Sequence, residues 1–225
     1  MKRSRYGSFF RSVLCLTVVI WMLLVFSGGS TYSDLTFSEA VTGVSNECPE
    51  WILNNQVLID VVYFGFDEKI HRGQLVADAR VAGDLQKVFI LMLITGFPLE
   101  SVIPISELNW DDFQSMELNN TSAFNYRTVP FSSNLSNHAY GLAIDINPLQ
   151  NPYYTGTQVF PENAEYDHSA PGTLYEGHLV VRLFRSLGWR WGGDWREKDY
   201  QHFDKQLENV SLENINKHFT WPPWR

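Results

Sequence analysis

A chain of 225 residues that is 44% hydrophobic and 15% aromatic, with 15 glycines and 10 prolines, has the make-up of one globular domain with a sizeable core and not of a disordered or fibrous chain. Acids outnumber bases by 25 to 17, and the first acid is Asp34, so beyond Lys2, Arg3, Arg5 and Arg11 the balance is 13 bases to 25 acids, a net charge of −12. Such a charge disfavours phosphate backbones and anionic headgroups as ligands, and no nucleic-acid partner is expected.

Those four bases precede Val13–Phe26, 14 almost wholly apolar residues, and then Ser27-Gly28-Gly29-Ser30. The run is shorter than the ~20 residues of a spanning helix and has the layout of an export signal. Residues 1–29 are therefore read as a signal peptide or, if uncleaved, an N-terminal membrane anchor. The protein is expected to be exported: periplasmic, extracellular or tethered to the outer face of the cytoplasmic membrane. Cys15 falls in the apolar stretch and Cys48 in a polar one, which argues against a disulfide between them. Cys48 is read as a structural thiol. Residues 30–55 contain few large apolar side chains and no clear period, so they are assigned to a linker and residues 56–225 to the domain.

Val57–Phe64 is β-branched and aromatic and predicts a strand, closed by Gly65 and the polar Asp67-Glu68-Lys69 turn. A helix follows over Val81–Thr95, with Leu85, Val88, Phe89, Met92 and Leu93 at helical spacing and Gly96 and Pro98 as its stop. Leu99–Ile105 reads as a short strand and Asn109–Asn120 as a loop or brief helical turn. A second helix is marked by Thr173 and Glu176 as a capping box, by the stripe Val180, Leu183, Phe184 and Leu187, and by Gly188 as its stop. Trp189, Trp191 and Trp195 are expected to pack as core beneath the last part of the domain, and Trp221 and Trp224 to pin a tail. Few strands and two main helices in mixed order give an α+β fold, a small antiparallel sheet with flanking helices.

The chemistry lies after Phe124. His138 and Asp145 are seven positions apart in Leu135–Pro148. Gly141, the isoleucines and Pro148 oppose a helix there, and along one strand an odd spacing would point the two side chains to opposite faces. Both converge only if the chain bends at Tyr140-Gly141 and a strand starts at Leu142, with Ala143 and Asp145 facing the site. Further on, Trp191-Gly192-Gly193-Asp194-Trp195 precedes Asp199 and, three residues later, His202. Two imidazoles and a carboxylate form a catalytic zinc set that leaves a fourth position open, and an extra acid beside the last ligand suits a base. No Gly-x-Ser-x-Gly elbow, His-Glu-x-x-His helix or phosphate-binding glycine loop occurs.

These residues resemble the zinc-dependent peptidoglycan peptidases. Ser136-x-His138 through Gly141, Ala143 and Asp145 matches the family's Ser-x-His-x-x-Gly-x-Ala-x-Asp signature, and Trp191–Trp195 with Asp199-x-x-His202 matches its second. The family comprises D-alanyl-D-alanine carboxypeptidases, vancomycin-resistance dipeptidases and L-alanyl-D-glutamate endopeptidases. The resemblance implies a hedgehog/DD-peptidase-like zinc domain, with His138, Asp145 and His202 as Zn2+ ligands and Asp199 as general base. It further implies Arg127 as a transition-state arginine, Ser136 as a contact to the substrate peptide, and a peptidoglycan stem peptide as substrate; the protein is expected to be a monomer. Zinc would lower the pKa of its bound water to about 7 and polarise the scissile carbonyl. The carboxypeptidase and dipeptidase branches generally carry Glu where this chain has Asp199, which leans the expectation towards L-alanyl-D-glutamate cleavage. The contrasting reading is a zinc-bearing module that grips wall peptides without cutting them.

Overall fold

The computed structural model describes residues 33–129, 132–162 and 164–207. The expected export segment and the tail tryptophans Trp221 and Trp224 lie outside those residues, and among the described residues no helix is long and apolar enough to cross a membrane.

Residues 34–55, expected to be a linker, contain two short helices, α1 (Phe37–Ala40) and α2 (Glu50–Leu53). A local signal starts the first: Thr36 accepts a bond from the Glu39 N–H while Glu39 takes the Thr36 N–H at 2.7 Å, a capping box absent from the sequence reading. Ala40, Cys48 and Ile52 are buried with Val76 and Phe124, so the segment packs on the domain although its apolar residues are few. Burial pushes the Cys48 thiol up to about 11, which keeps it protonated and fits its structural reading.

The predicted first strand is β1 (Gln56–Gly65). The chain turns at Asp67 and returns as β2 (Ile70–Asp78), in antiparallel register from Phe64 opposite Ile70 to Gln56 opposite Asp78. Sequence pattern assigned no element to β2, because His71, Arg72, Gly73 and Gln74 mask its alternation. Gly73 is there for close approach: a Cβ would stand 2.3 Å from the Val102 carbonyl oxygen. Asp78 then caps α3 (Ala79–Thr95) by accepting the Arg80 N–H at 2.9 Å, and Gly96, at φ 67°, ends it. Val81, Leu85, Val88, Phe89 and Met92 form the buried stripe of α3, which packs on β1. The strand expected over 99–105 shrinks to β3 (Pro98–Leu99), which pairs parallel with β1, so this sheet (β2-β1-β3) is mixed. Part of Asn109–Asn120 is helical, as α4 (Asp112–Glu117).

A second, antiparallel sheet carries the chemistry. Its order is β4 (Ala143–Asp145), β8 (His202–Asp204) and β7 (Arg190–Trp191), and a hairpin of β5 (Tyr153–Thr155) and β6 (Gln158–Phe160) lies apart from it. The second predicted helix is α5 (Leu179–Ser186), and it starts later than the Thr173/Glu176 box implied. Asn151 Oδ1 takes the Leu174 N–H at 2.7 Å and holds that stretch non-helical, and His178 is the cap that forms. Residues 121–124 tie the two sheets together: Ser122 exchanges backbone bonds with Asp145, and the Phe124 N–H reaches the Val76 carbonyl at 2.9 Å. One core spans both sheets and includes Tyr63, Leu85, Ile144, Phe184 and Phe203, with Phe184 stacked on Phe203 at 4.0 Å. Trp189 and Trp191 belong to it as expected, but Trp195 is 36% exposed.

Candidate metal centre

His138 owes its position to local turn chemistry. The Ser136 Oγ accepts the His138 N–H at 3.3 Å and opens a 3₁₀ turn over Asn137–Tyr140. Gly141, at φ 68°, closes that turn, and a Cβ there would stand 2.1 Å from Gln56 Oε1 and 2.6 Å from the Asp78 nitrogen, so only glycine fits. The chain then enters β4, the bend that the His-Asp spacing predicted. Asp145 and His202, 57 residues apart, are direct cross-strand partners in the β4–β8 pair, which brings their side chains together on one face of the sheet.

His138 Nδ1 donates to the Ala123 carbonyl at 2.5 Å, which leaves Nε2 as the nitrogen that faces the site. That Nε2 is 3.1 Å from His202 Nδ1 and 3.1 Å from Asp145 Oδ2, and His202 Nδ1 is 2.9 Å from Asp145 Oδ1. All three residues are buried, and their donor atoms lie within 4.8 Å of one another. The group is short of positive charge. Burial opposes a charge on His202, yet its bonds to Asp145 and Asp204 outweigh that and lift the imidazole to about 10. Burial would likewise raise Asp145, but the two imidazoles hold it well below the usual carboxylate range. A divalent cation bound by two imidazole nitrogens and a carboxylate oxygen would take the place of the His202 proton between these atoms, so the donor set fits a metal.

Asp199 enters the same cleft. Its carboxyl Oδ1 is sealed from solvent without a hydrogen-bond partner. Burial pushes this carboxyl up to about 7, with His202 pulling it down and Asp145 pushing it further up. The Gly192 carbonyl accepts the Asp199 N–H at 3.1 Å, and a Cβ on Gly192 would stand 2.4 Å from the Asp199 carbonyl oxygen, so the Gly-Gly pair of the second motif lets this acid come close. Arg127 also lines the cleft, its Nη2 paired with Asp112 Oδ2 at 2.9 Å, while Asn125 Nδ2 donates to Asp112 Oδ1 at 3.2 Å. All six residues singled out in the sequence thus line one cleft of about 1070 Å³.

Sequence reasoning missed the shell behind the candidate ligands. Asp204 Oδ2 stands 3.9 Å from His202 Nε2, accepts Asn137 Nδ2 at 2.5 Å, and is also gripped by Arg190 Nη2, whose Nε donates to Oδ1 at 2.7 Å. Burial disfavours its charge, but His202 and Arg190 hold the carboxyl far below its ordinary range, so Asp204 stays ionised. The available signal was period two: in His202-Phe203-Asp204 the outer residues share a strand face. Trp195, whose ring is 5.2 Å from that of His202, is a wall of the cleft and not core.

Residues 131–205 match the family model described as D-alanyl-D-alanine carboxypeptidase. The matched stretch holds His138, Asp145, Asp199 and His202, and it bears out the family resemblance read from the motifs. No curated protein and no solved structure matches the chain.

Proposed function

We infer, from the match of residues 131–205 to the D-alanyl-D-alanine carboxypeptidase family, that this chain is a zinc metallopeptidase hydrolysing a peptide bond in peptidoglycan stem peptides. We favour the L-alanyl-D-glutamate bond over the terminal D-alanyl-D-alanine bond, on the strength of Asp199 in place of Glu. The observation that carries the reading is the convergence of two imidazole nitrogens and a carboxylate oxygen within 4.8 Å of one another, beside a carboxyl that titrates near neutrality. In this reading the domain has the hedgehog/DD-peptidase fold, acts as a monomer, and is exported through residues 1–29, with or without a remaining membrane tether.

His138 Nε2, His202 Nδ1 and an Asp145 oxygen would hold the ion. Zinc held there would supply Lewis acidity, able to polarise a carbonyl and to lower the pKa of a bound water to about 7. Asp199, itself titrating at about 7, is matched to take a proton from the attacking water and deliver it to the leaving amine. Arg127, oriented by Asp112, offers a fixed positive charge to the developing oxyanion. Ser136 caps the turn that presents His138 and lines the cleft, where its hydroxyl is available to a substrate peptide.

The test is mass spectrometry of peptidoglycan fragments incubated with the full chain, with and without chelator, beside Asp199→Asn. Chelator-sensitive cleavage that falls ~10²–10⁴-fold in Asp199→Asn, with metal content retained, is expected. The fragment masses identify the bond. Bound metal and bound peptide with no cleavage would instead favour a non-catalytic wall-binding module.

A further inference from the structure

We propose that Arg196 is the carboxylate anchor of this cleft, gripping the free carboxylate on the substrate residue that supplies the leaving amine. The inference rests on the stem-peptide reading above and names what selects that substrate. Three arginines line the cleft: Arg127, Arg190 and Arg196. The first two are already committed, Arg127 to Asp112 at 2.9 Å and Arg190 to Asp204 at 2.7 Å. Of the lining acids, Asp145 faces the two imidazoles, and Glu197 accepts the Tyr153 hydroxyl at 3.5 Å. Arg196 has no acidic partner among the described residues and is exposed to the cleft. With Arg127 assigned to the oxyanion in the reading above and Arg190 held by Asp204, Arg196 is the lining arginine left for a substrate carboxylate.

Its place on the chain suits that use. The Gly192 carbonyl accepts both the Trp195 N–H at 3.0 Å and the Asp199 N–H at 3.1 Å, and Lys198 Nζ donates to the Gly193 carbonyl at 2.9 Å. Residues 192–199 therefore form a closed loop that leaves its backbone little freedom. Arg196 follows Trp195, whose ring borders His202, and precedes Asp199 by three residues. The loop that carries the base thus also carries the free guanidinium.

The substrate supplies the matching group whichever bond is cut. D-glutamate in a stem peptide is linked onward through its γ-carboxyl, which leaves its α-carboxylate free; the last D-alanine ends in a carboxylate. In both cases the anion lies on the amine side of the scissile bond. A guanidinium fork binds a carboxylate in a fixed orientation, and a domain of strongly negative charge needs such a local cation to admit an anionic peptide.

The experiment measures binding, so it does not depend on turnover. Zinc-loaded full-length Asp199→Asn protein is titrated with a stem pentapeptide, with its D-glutamate α-amide, and with its C-terminal amide; the same series is run with Arg196→Gln and Arg196→Lys added. One amidation is expected to weaken binding ~10-fold, and the sensitive position tells the D-glutamate carboxylate from the terminal one. Arg196→Gln should abolish that difference by lowering the affinity of the free-acid peptide, and Arg196→Lys should keep part of it. Equal weakening of all three peptides, unchanged sensitivity in Arg196→Gln, or no binding of any peptide would each overturn the proposal. Peptides that bind in an Arg196-dependent way to a wild-type protein that never cleaves them would sink the peptidase reading and leave the anchor standing.

Discussion

Metal affinity should climb steeply with pH, and the structure fixes the slope. His202 Nδ1 lies 2.9 Å from Asp145 Oδ1 and 3.1 Å from His138 Nε2, and the imidazole titrates at about 10. Below that pH, His202 therefore carries a proton on the atom that must become a ligand. Binding has to expel it, so each ion bound releases one proton and the apparent association constant rises about tenfold per pH unit, or ~100-fold between pH 6 and pH 8. Competition against a chromophoric chelator at pH 6, 7 and 8 reads that slope, and calorimetry in buffers of different ionisation enthalpy counts the protons released. The same shift bears on the stability of the metal-free protein: a raised imidazole stabilises the fold fully below its unfolded pKa of about 6.5, and that contribution is lost as pH rises through about 10. An affinity that stays flat over pH 6–8, with no proton released, would refute this account of the site.

Asp204→Asn should lower metal affinity ~10–100-fold while the chain stays folded, because Asp204 faces His202 Nε2 and joins Asn137, beside His138, to Arg190. The chelator competition above measures it, and unchanged affinity would remove Asp204 from the site's support. Gly141→Ala forces a side chain into a left-handed residue and against the Asp78 nitrogen, at a cost of at least about 1–2 kcal/mol from the backbone alone. A fall in thermal midpoint of about 5 °C or more is expected by calorimetry, and an unaltered midpoint would show that the turn relaxes.

The elements legible in the sequence are those whose cause is local. Val57–Phe64 announces a strand by its β-branched run, and Val81–Thr95 a helix by its stripe and its glycine stop; both form. The bend between His138 and Asp145 was legible for the same reason, since Gly141 and the odd spacing leave few backbone paths. The failures have a common origin in pairing and burial. β2 is a strand because β1 offers it a full register, although its own residues alternate poorly. Residues 34–55 fold against Val76 and Phe124 with little apolar surface of their own. Thr173 fails as a helix cap: its hydroxyl is buried without a hydrogen-bond partner, while Asn151 takes the N–H of Leu174, 23 residues away.

The sequence alone determined which chemistries the chain can perform: which residues can hold a metal, which acid stands next to them, and where the backbone must turn, because side-chain type and φ preference belong to single residues. Tertiary structure alone decided which atoms meet. Pairing of β4 with β8 set Asp145 opposite His202, the Ala123 carbonyl chose which nitrogen of His138 faces the site, and Asp112 and Asp204 claimed two arginines while leaving Arg196 unclaimed. Those outcomes depend on contacts between residues far apart in sequence, which only the closed fold supplies.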